Sequence, residues 1–321
     1  MPIGELCPSR FQLFPYSLFD KYIKQAKEYG ALRAAVIMPT HKKIIEAVND
    51  AYQTGLIHPI LIGPRGKIQQ AAADAAIDIR HHELIDVEHS HAAILLAMTL
   101  AHDNQVGIII RGGAIREEML REMKRHDTGL MMDKILSYAA VLDVPTYPKA
   151  LFLTDTMINM DPGLDVKRGI TQNAIDFAQA LGIDEPKIAV VAGMDTVSQD
   201  MQSTIDAAAL CKMAERGQIK GGIIDGPLTF DNVISKDVAL SKGIVSPVIG
   251  QADILVMPNV ETGNILAKQL EYLAESKNAG LTLGGRVPVL MSHIYDIYLS
   301  TVSCALAVLS NEYLKSKDKV V

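Results

Sequence analysis

Ser292, His293 and Asp296 lie within five residues, directly after the apolar run Val287–Met291. A serine, an imidazole and a carboxylate this close suggest a nucleophilic triad. Triads are assembled from distant segments, however, and no G-x-S-x-G elbow surrounds this serine, so a serine hydrolase is not the reading. Three other polar loops also follow apolar runs. RGGAIR (Arg111–Arg116) sets Gly112 and Gly113 between two arginines at a strand-to-helix turn, where open α/β folds hold anions. DGPLTFDN (Asp225–Asn232) gathers two aspartates, a threonine and an amide into one expected loop. VMPNVETGN ends a strand at Pro258 and sets Asn259, Glu261, Thr262, Gly263 and Asn264 before a helix. Each alone could be turn chemistry, with Thr262 or Asn264 as an N-cap; together they favour a small-molecule site.

Other motifs exclude. No G-x-G-x-x-G follows a strand, and GPRGK (63–67) is too short for a P-loop, which removes the usual nucleotide-binding classes. HHELIDVEHSH (His81–His91) is rich in imidazole but lacks H-E-x-x-H spacing. It reads as an exposed edge strand leading into a helix near Ser90, with no metal. The methionines, among them Met123, Met157 and Met201, read as core filler or packing beside a pocket.

The elements that must position these loops alternate. Strands are expected at 33–38, 58–62, 106–110, 138–142, 150–154, 187–191, 221–224, 252–257 and 287–291. Helices are expected at 42–52, 90–103, 116–125, 165–181, 204–214, 264–274 and 298–314. In the 165–181 window Val166, Ile170, Ala174, Phe177 and Leu181 recur every three or four residues, one apolar stripe for a sheet. Continuous apolar strands between helices predict an α/β protein with mostly parallel sheets covered on both faces. LDVPTYPK (142–149) breaks the pattern with two prolines, and GGRVP (284–288) marks a second crossing.

Composition narrows the class. The 321 residues are 49% hydrophobic and 21% charged, with net charge −6, which fits a globular protein of about two domains. Acidic balance and 5% aromatics argue against nucleic-acid binding, and no apolar run suits a membrane span. The first residues lack a basic start followed by an apolar run, so no signal peptide is read there. Three distant cysteines suit a reducing cytoplasm.

Taken in order, these loops resemble the phosphate acetyl/butyryltransferase family from about Leu32 to the last helix. The blocks that carry the resemblance are LFLTDTMINMDPGLDVKRGITQNAIDFAQALGI, STIDAAALCKMAERGQI with IDGPLTFDNVIS, and ADILVMPNVETGNILAKQLEYLA; butyryltransferase-like members are most similar. The resemblance implies two three-layer α/β domains around a cleft, residues 1–147 with 289–321 and residues 148–288. It implies a homodimer or an assembly of dimers, no metal or redox cofactor, and CoA as a substrate in acyl-CoA + phosphate ⇌ acyl phosphate + CoA.

That reaction needs fixed donors for phosphate, a base for the CoA thiol and donors for the tetrahedral oxyanion. By resemblance Ser292 is an oxyanion or thiol-positioning donor and Asp296 a candidate base, with Arg111-Gly112-Gly113 as the glycine-rich loop. Arg116, Asp225, Asn259, Glu261, Thr262, Gly263 and Asn264 are expected to line the cleft. His293 stands where the family has arginine, and Thr128-Gly129 continues into Leu130-Met131-Met132 where another arginine is expected. A charge-assisted bond to phosphate contributes roughly 1.5–3 kcal/mol, and unperturbed histidine is mostly neutral at pH 7. The alternative is therefore a weak or inactive paralogue that binds acyl-CoA in a regulatory role.

Overall fold

A computed structural model describes residues 18–125, 129–131, 134–291 and 295–318. In chain order the elements are α1 (Leu18–Ala26), β1 (Leu32–Ile37), α2 (Lys42–Gln53), β2 (Ile57–Gly63), α3 (Arg65–Asp74), β3 (Glu83–Asp86), α4 (Ser90–His102) and β4 (Ile108–Ile110). There follow α5 (Arg116–Met123), β5 (Ser137–Asp143), β6 (Leu151–Thr154), α6 (Leu164–Ala180), β7 (Lys187–Val191), α7 (Gln202–Glu215) and β8 (Ile223–Leu228). The chain closes with α8 (Phe230–Ile234), α9 (Lys236–Ser241), β9 (Ile254–Val256), α10 (Val260–Leu273), β10 (Lys277–Leu283), β11 (Val289–Leu290) and α11 (Ile297–Asp318).

All strands join one sheet in the order β3-β2-β1-β4-β11-β10-β5-β6-β9-β7-β8. One wing, β3 to β11, is wholly parallel, as is the other, β6 to β8. The three antiparallel pairings all lie in the middle, where β10 and β5 join the wings. The fold is thus α/β with a mostly parallel sheet, and β11 and α11 return to the first wing after the chain has built the second.

The alternation of side chains across the strands separates two unlike faces. On one face Val36, Ile108, Val141, Phe152, Val190 and Val256 belong to a single core running under both wings. It is covered by α1, α2, α3, α6, α7 and α11, whose apolar stripes supply Phe19, Ile44, Ile68, Phe177, Leu210 and Val308. On the opposite face the core is split. Ile37, Ile109 and Val289 pack with α4 and α5 in the first wing, while Leu142, Leu153, Ala189 and Leu255 pack with α8, α9 and α10 in the second. The half-buried Leu120 and Met157 pack against both. A seam therefore runs between α5 and α10 on this face.

Two local expectations change. KNAGLTL forms β10, which was not expected as a strand because Lys277, Asn278 and Gly280 interrupt the apolar pattern. Gly280 fits because a Cβ there would stand 2.5 Å from the Ala139 carbonyl and 2.6 Å from the Tyr138 hydroxyl. The DGP of Asp225–Pro227 is not a loop either. β8 continues to Leu228, following β7 through a register shift between Ala189 and Val191.

Candidate functional site

The first wing contributes the loop after β4. Gly112 is left-handed at φ +56°, and a Cβ on it would lie 1.9 Å from the Ile37 carbonyl, so only glycine fits. The Gly113 amide in turn donates to the carbonyls of Ile37 (3.1 Å) and Met38 (3.0 Å), anchoring the loop on the end of β1. From this base Arg111 donates through Nε to the Met291 carbonyl (3.0 Å) and through Nη1 to the Ala114 carbonyl (2.8 Å). Burial lowers its pKa, though the group remains a cation at any ordinary pH. Arg116 opens α5 and donates through Nη2 to the Met157 carbonyl (2.9 Å). Its buried Nε has no acceptor among the described residues.

The second wing contributes the start of α10. Asn259 caps the helix, its Oδ1 accepting the Thr262 amide at 3.0 Å, and the Thr262 hydroxyl turns back to Asn259. Glu261 is exposed in the first turn. A Cβ on Gly263 would stand 2.9 Å from the Asp155 carbonyl, so the helix approaches segment 155–159 closely there. Asn264 Nδ2 reaches the Thr156 carbonyl at 3.4 Å.

Segment 155–159 joins the two. The buried Asp155 carboxylate accepts the amides of Met157 (2.8 Å), Ile158 (3.0 Å) and Asn159 (3.2 Å), and also Asn159 Nδ2 at 2.6 Å. Burial raises its pKa, and these four donors offset part of that rise. This carboxylate escaped the sequence reading, although an aspartate just past a strand with asparagine four residues on is a signal for such a turn.

Of the expected catalytic residues, Ser292 and His293 lie outside the described residues, as does Thr128. Their described neighbours are Met291, held by Arg111, and Tyr295, whose ring meets His41 edge-on at 5.3 Å. Asp296 is exposed and caps α11, its Oδ1 accepting the Leu299 amide at 2.8 Å. Arg116 thus meets Gly263 and Asn264 through segment 155–159, with Arg111, Gly112 and Gly113 in the loop just before it and Asn259, Glu261 and Thr262 on the same helix start as Gly263 and Asn264. Asp225 stands apart in edge strand β8, accepting the amide of Gly226.

Two further features were not legible. A groove of about 780 Å³ opens beside Pro258 and Asn259, lined also by the first turns of α6 and α7. In its wall Lys167 and Asp206, both buried, form an ion pair at 2.6 Å. Thr282 is buried on the seam face between its strand partners Tyr138 and Val289. Its hydroxyl has no partner among the described residues. As for His81–His91, His81 and His82 stack around Tyr52, and His91 lies 3.5 Å from the buried Glu122.

Comparison with known proteins identifies the fold and the lineage. The family model described as phosphate acetyl/butaryl transferase matches residues 88–292. A phosphate acetyltransferase from Rhizobium meliloti is 42% identical over 91% of this chain and 93% of its own length. A phosphate butyryltransferase from Clostridium beijerinckii is 36% identical over 91% and 97%. The crystal structure of a branched-chain phosphotransacylase from Enterococcus faecalis superposes with a TM-score of 0.76 at 24% identity, covering 87% of this chain and 99% of that one. With a family match over most of its length and relatives this similar along nine-tenths of it, the chain belongs to the phosphate acetyl/butaryl transferase family.

Proposed function

We propose that this chain is a phosphate acyltransferase moving a short acyl group between CoA and inorganic phosphate, at the seam between α5 and α10. One observation carries the reading. Segment 155–159 ties a loop bearing two arginines, on one wing, to a helix N-terminus on the other, as a two-substrate anion site requires. Arg116, with a buried donor that has no acceptor among the described residues, and Arg111 supply the charge for phosphate. In the forward direction a phosphate oxygen attacks the thioester carbonyl, the C–O bond forms, the C–S bond breaks, and the thiolate leaves to take a proton. Ser292 would steady the oxyanion, His293 would face phosphate and Asp296 would exchange the thiol proton. The groove beside Asn259 is within the ~300–1,000 Å³ usual for ligand sites, and we assign the rest of CoA to it.

The chemistry needs no metal or redox cofactor. We divide the enzyme into lobes at 1–147 with 289–321 and at 148–288, and infer a homodimer. Exposed Ile265, Tyr272 and Leu273 along α10 support a covered interface there. A cytoplasmic enzyme fits the distant cysteines, of which Cys211 and Cys304 are free thiols. No helix among the described residues is long and apolar enough to cross a membrane.

Phosphate-dependent CoA release from acetyl-, propionyl-, butyryl- and isobutyryl-CoA tests the reading. Turnover is expected, with Arg116→Ala raising the KM for phosphate roughly ten- to hundredfold, as loss of one charge-assisted bond implies. No turnover across the panel, with CoA still raising the Tm, would replace the enzyme with a binding paralogue.

A further inference from the structure

Asp155 is a buried carboxylate that organises its own turn. It lies just past β6 at 3% exposure, and among the described residues the four hydrogen bonds that it accepts come from its own next four residues. Asn159 spends its amide twice, on Asp155 and on the Leu136 carbonyl at 2.8 Å, which pins the turn to the chain leading into β5. The result is a short segment closed on itself, with its own carbonyls facing outward. Those carbonyls are not idle. That of Met157 accepts Arg116, that of Thr156 accepts Asn264, and that of Asp155 abuts Gly263. The Met157 side chain packs against the cores of both wings, as does Leu120 of α5. The seam of the split face is bridged here.

We propose that Asp155 is a positioning residue for acyl transfer: its carboxylate folds 155–159 into a bridge that holds Arg116 of α5 in register with the start of α10. The inference rests on the phosphate acyltransferase reading and deepens it. A mere turn stabiliser would need only the local bonds. Here three consecutive residues of the turn meet two helices from opposite wings, so loss of the carboxylate frees Arg116 and α10 together. An arginine displaced by about 1 Å from its phosphate loses much of its effect on the rate.

The test combines kinetics with exchange. In Asp155→Asn the new amide meets the donors of Asn159. The KM for phosphate is expected to rise about tenfold or more and kcat to fall. In the Arg116→Ala background the same change should raise the phosphate KM no further, since both act through one contact. Phe177→Leu, in the core of the other face, serves as a control that lowers stability without moving that KM. Hydrogen–deuterium exchange reads the bridge without turnover, and Asp155→Asn should speed it in α5 and in the first turns of α10 as well as locally. If Asp155→Asn does not fold, Asn159→Ala, which spares the carboxylate, carries both arms. Exchange confined to 154–160, an unchanged phosphate KM, or additive effects with Arg116→Ala would overturn the proposal. Should the unaltered protein release no CoA, the transferase reading fails and takes the kinetic half of the proposal with it. The exchange arm then still decides whether the bridge exists.

Discussion

The two loops that meet at the seam are built alike and behave differently. Both run from the end of a parallel strand into a helix, with a glycine near the junction. In the first, Arg111–Arg116, the side chains reach beyond the loop to Met291 and Met157, and Arg111 also bonds the Ala114 carbonyl within it. In the second, Asn259–Asn264, Asn259 and Thr262 bond to each other, and Asn264 alone reaches out, at 3.4 Å. The first is a cationic platform fixed by contacts from elsewhere in the chain. The second is a capped helix start whose polar side chains are largely consumed in capping. Polarity at a strand end is therefore a weak guide to ligand contact; the direction of the hydrogen bonds separates the two cases.

The glycines sharpen this contrast most. A Cβ on Gly112 would overlap the Ile37 carbonyl from a left-handed backbone, so Gly112→Ala must shift the whole arginine loop. We expect a loss of about 3 kcal/mol in urea denaturation and near-complete loss of phosphate-dependent CoA release. On Gly263 the nearest atoms are the Asp155 carbonyl at 2.9 Å and the Met257 and Thr156 side chains at 3.2 Å, a milder approach than at Gly112. Gly263→Ala is expected to cost about 1–2 kcal/mol and to leave measurable turnover. Equal effects of the two changes on activity would erase the distinction between platform and cap.

The parallel strands were legible because burial on both faces leaves continuous apolar runs, as in Lys187–Val191, which the structure reproduces residue for residue. β10 was hidden by the very position it occupies. Its row Asn278, Gly280 and Thr282 lies where the core is split, so Ala279, Leu281 and Leu283 alternate with polar residues and glycine instead of forming the continuous apolar run of the other strands. Among site residues, the RGG loop could be read from its glycines. Lys167 could not: it lies next to an apolar stripe, at a spacing that suggests a solvated face, and its partner Asp206 comes from another helix. Asp155 falls between the two. Its spacing to Asn159 is local and readable, but its importance depends on Arg116 and Asn264 arriving from distant parts of the chain. Contacts of that range are not encoded in any window of sequence.

A smaller test addresses the second loop alone. Asn259→Ala removes the cap on α10 and should lower stability by about 1 kcal/mol, the usual cost of a lost N-cap. If the polar side chains of this loop serve chiefly as caps, the phosphate KM should stay within about twofold of the unaltered protein. A tenfold rise would move Asn259 from cap to ligand contact, and the two loops would then share the binding of phosphate more evenly than their hydrogen bonds suggest.

The smallest effect is expected far from both loops, and it separates stability from activity. At the outer edge of the first wing His82 is half-buried against Tyr52, with His81 and His58 close by. Burial first, and then the neighbouring His81 charge, pushes its pKa down from 6.5 to about 4, against a weaker opposing pull from Asp78. The folded state thus favours the neutral ring. The stability this contributes is fully present above pH 6.5 and is lost as the pH falls through the folded value near 4, because the unfolded chain takes up the proton first. Tm measured from pH 7.5 down to 4.5 should therefore fall more steeply for the natural protein than for His82→Gln. Because the ring is half exposed, the difference in slope should amount to only about 1–2 °C over that range. At pH 7.5 the two proteins should have the same phosphate KM. A changed KM would show that this edge communicates with the arginine loop through β1 and β2, and the platform could then no longer be treated as fixed by its own contacts.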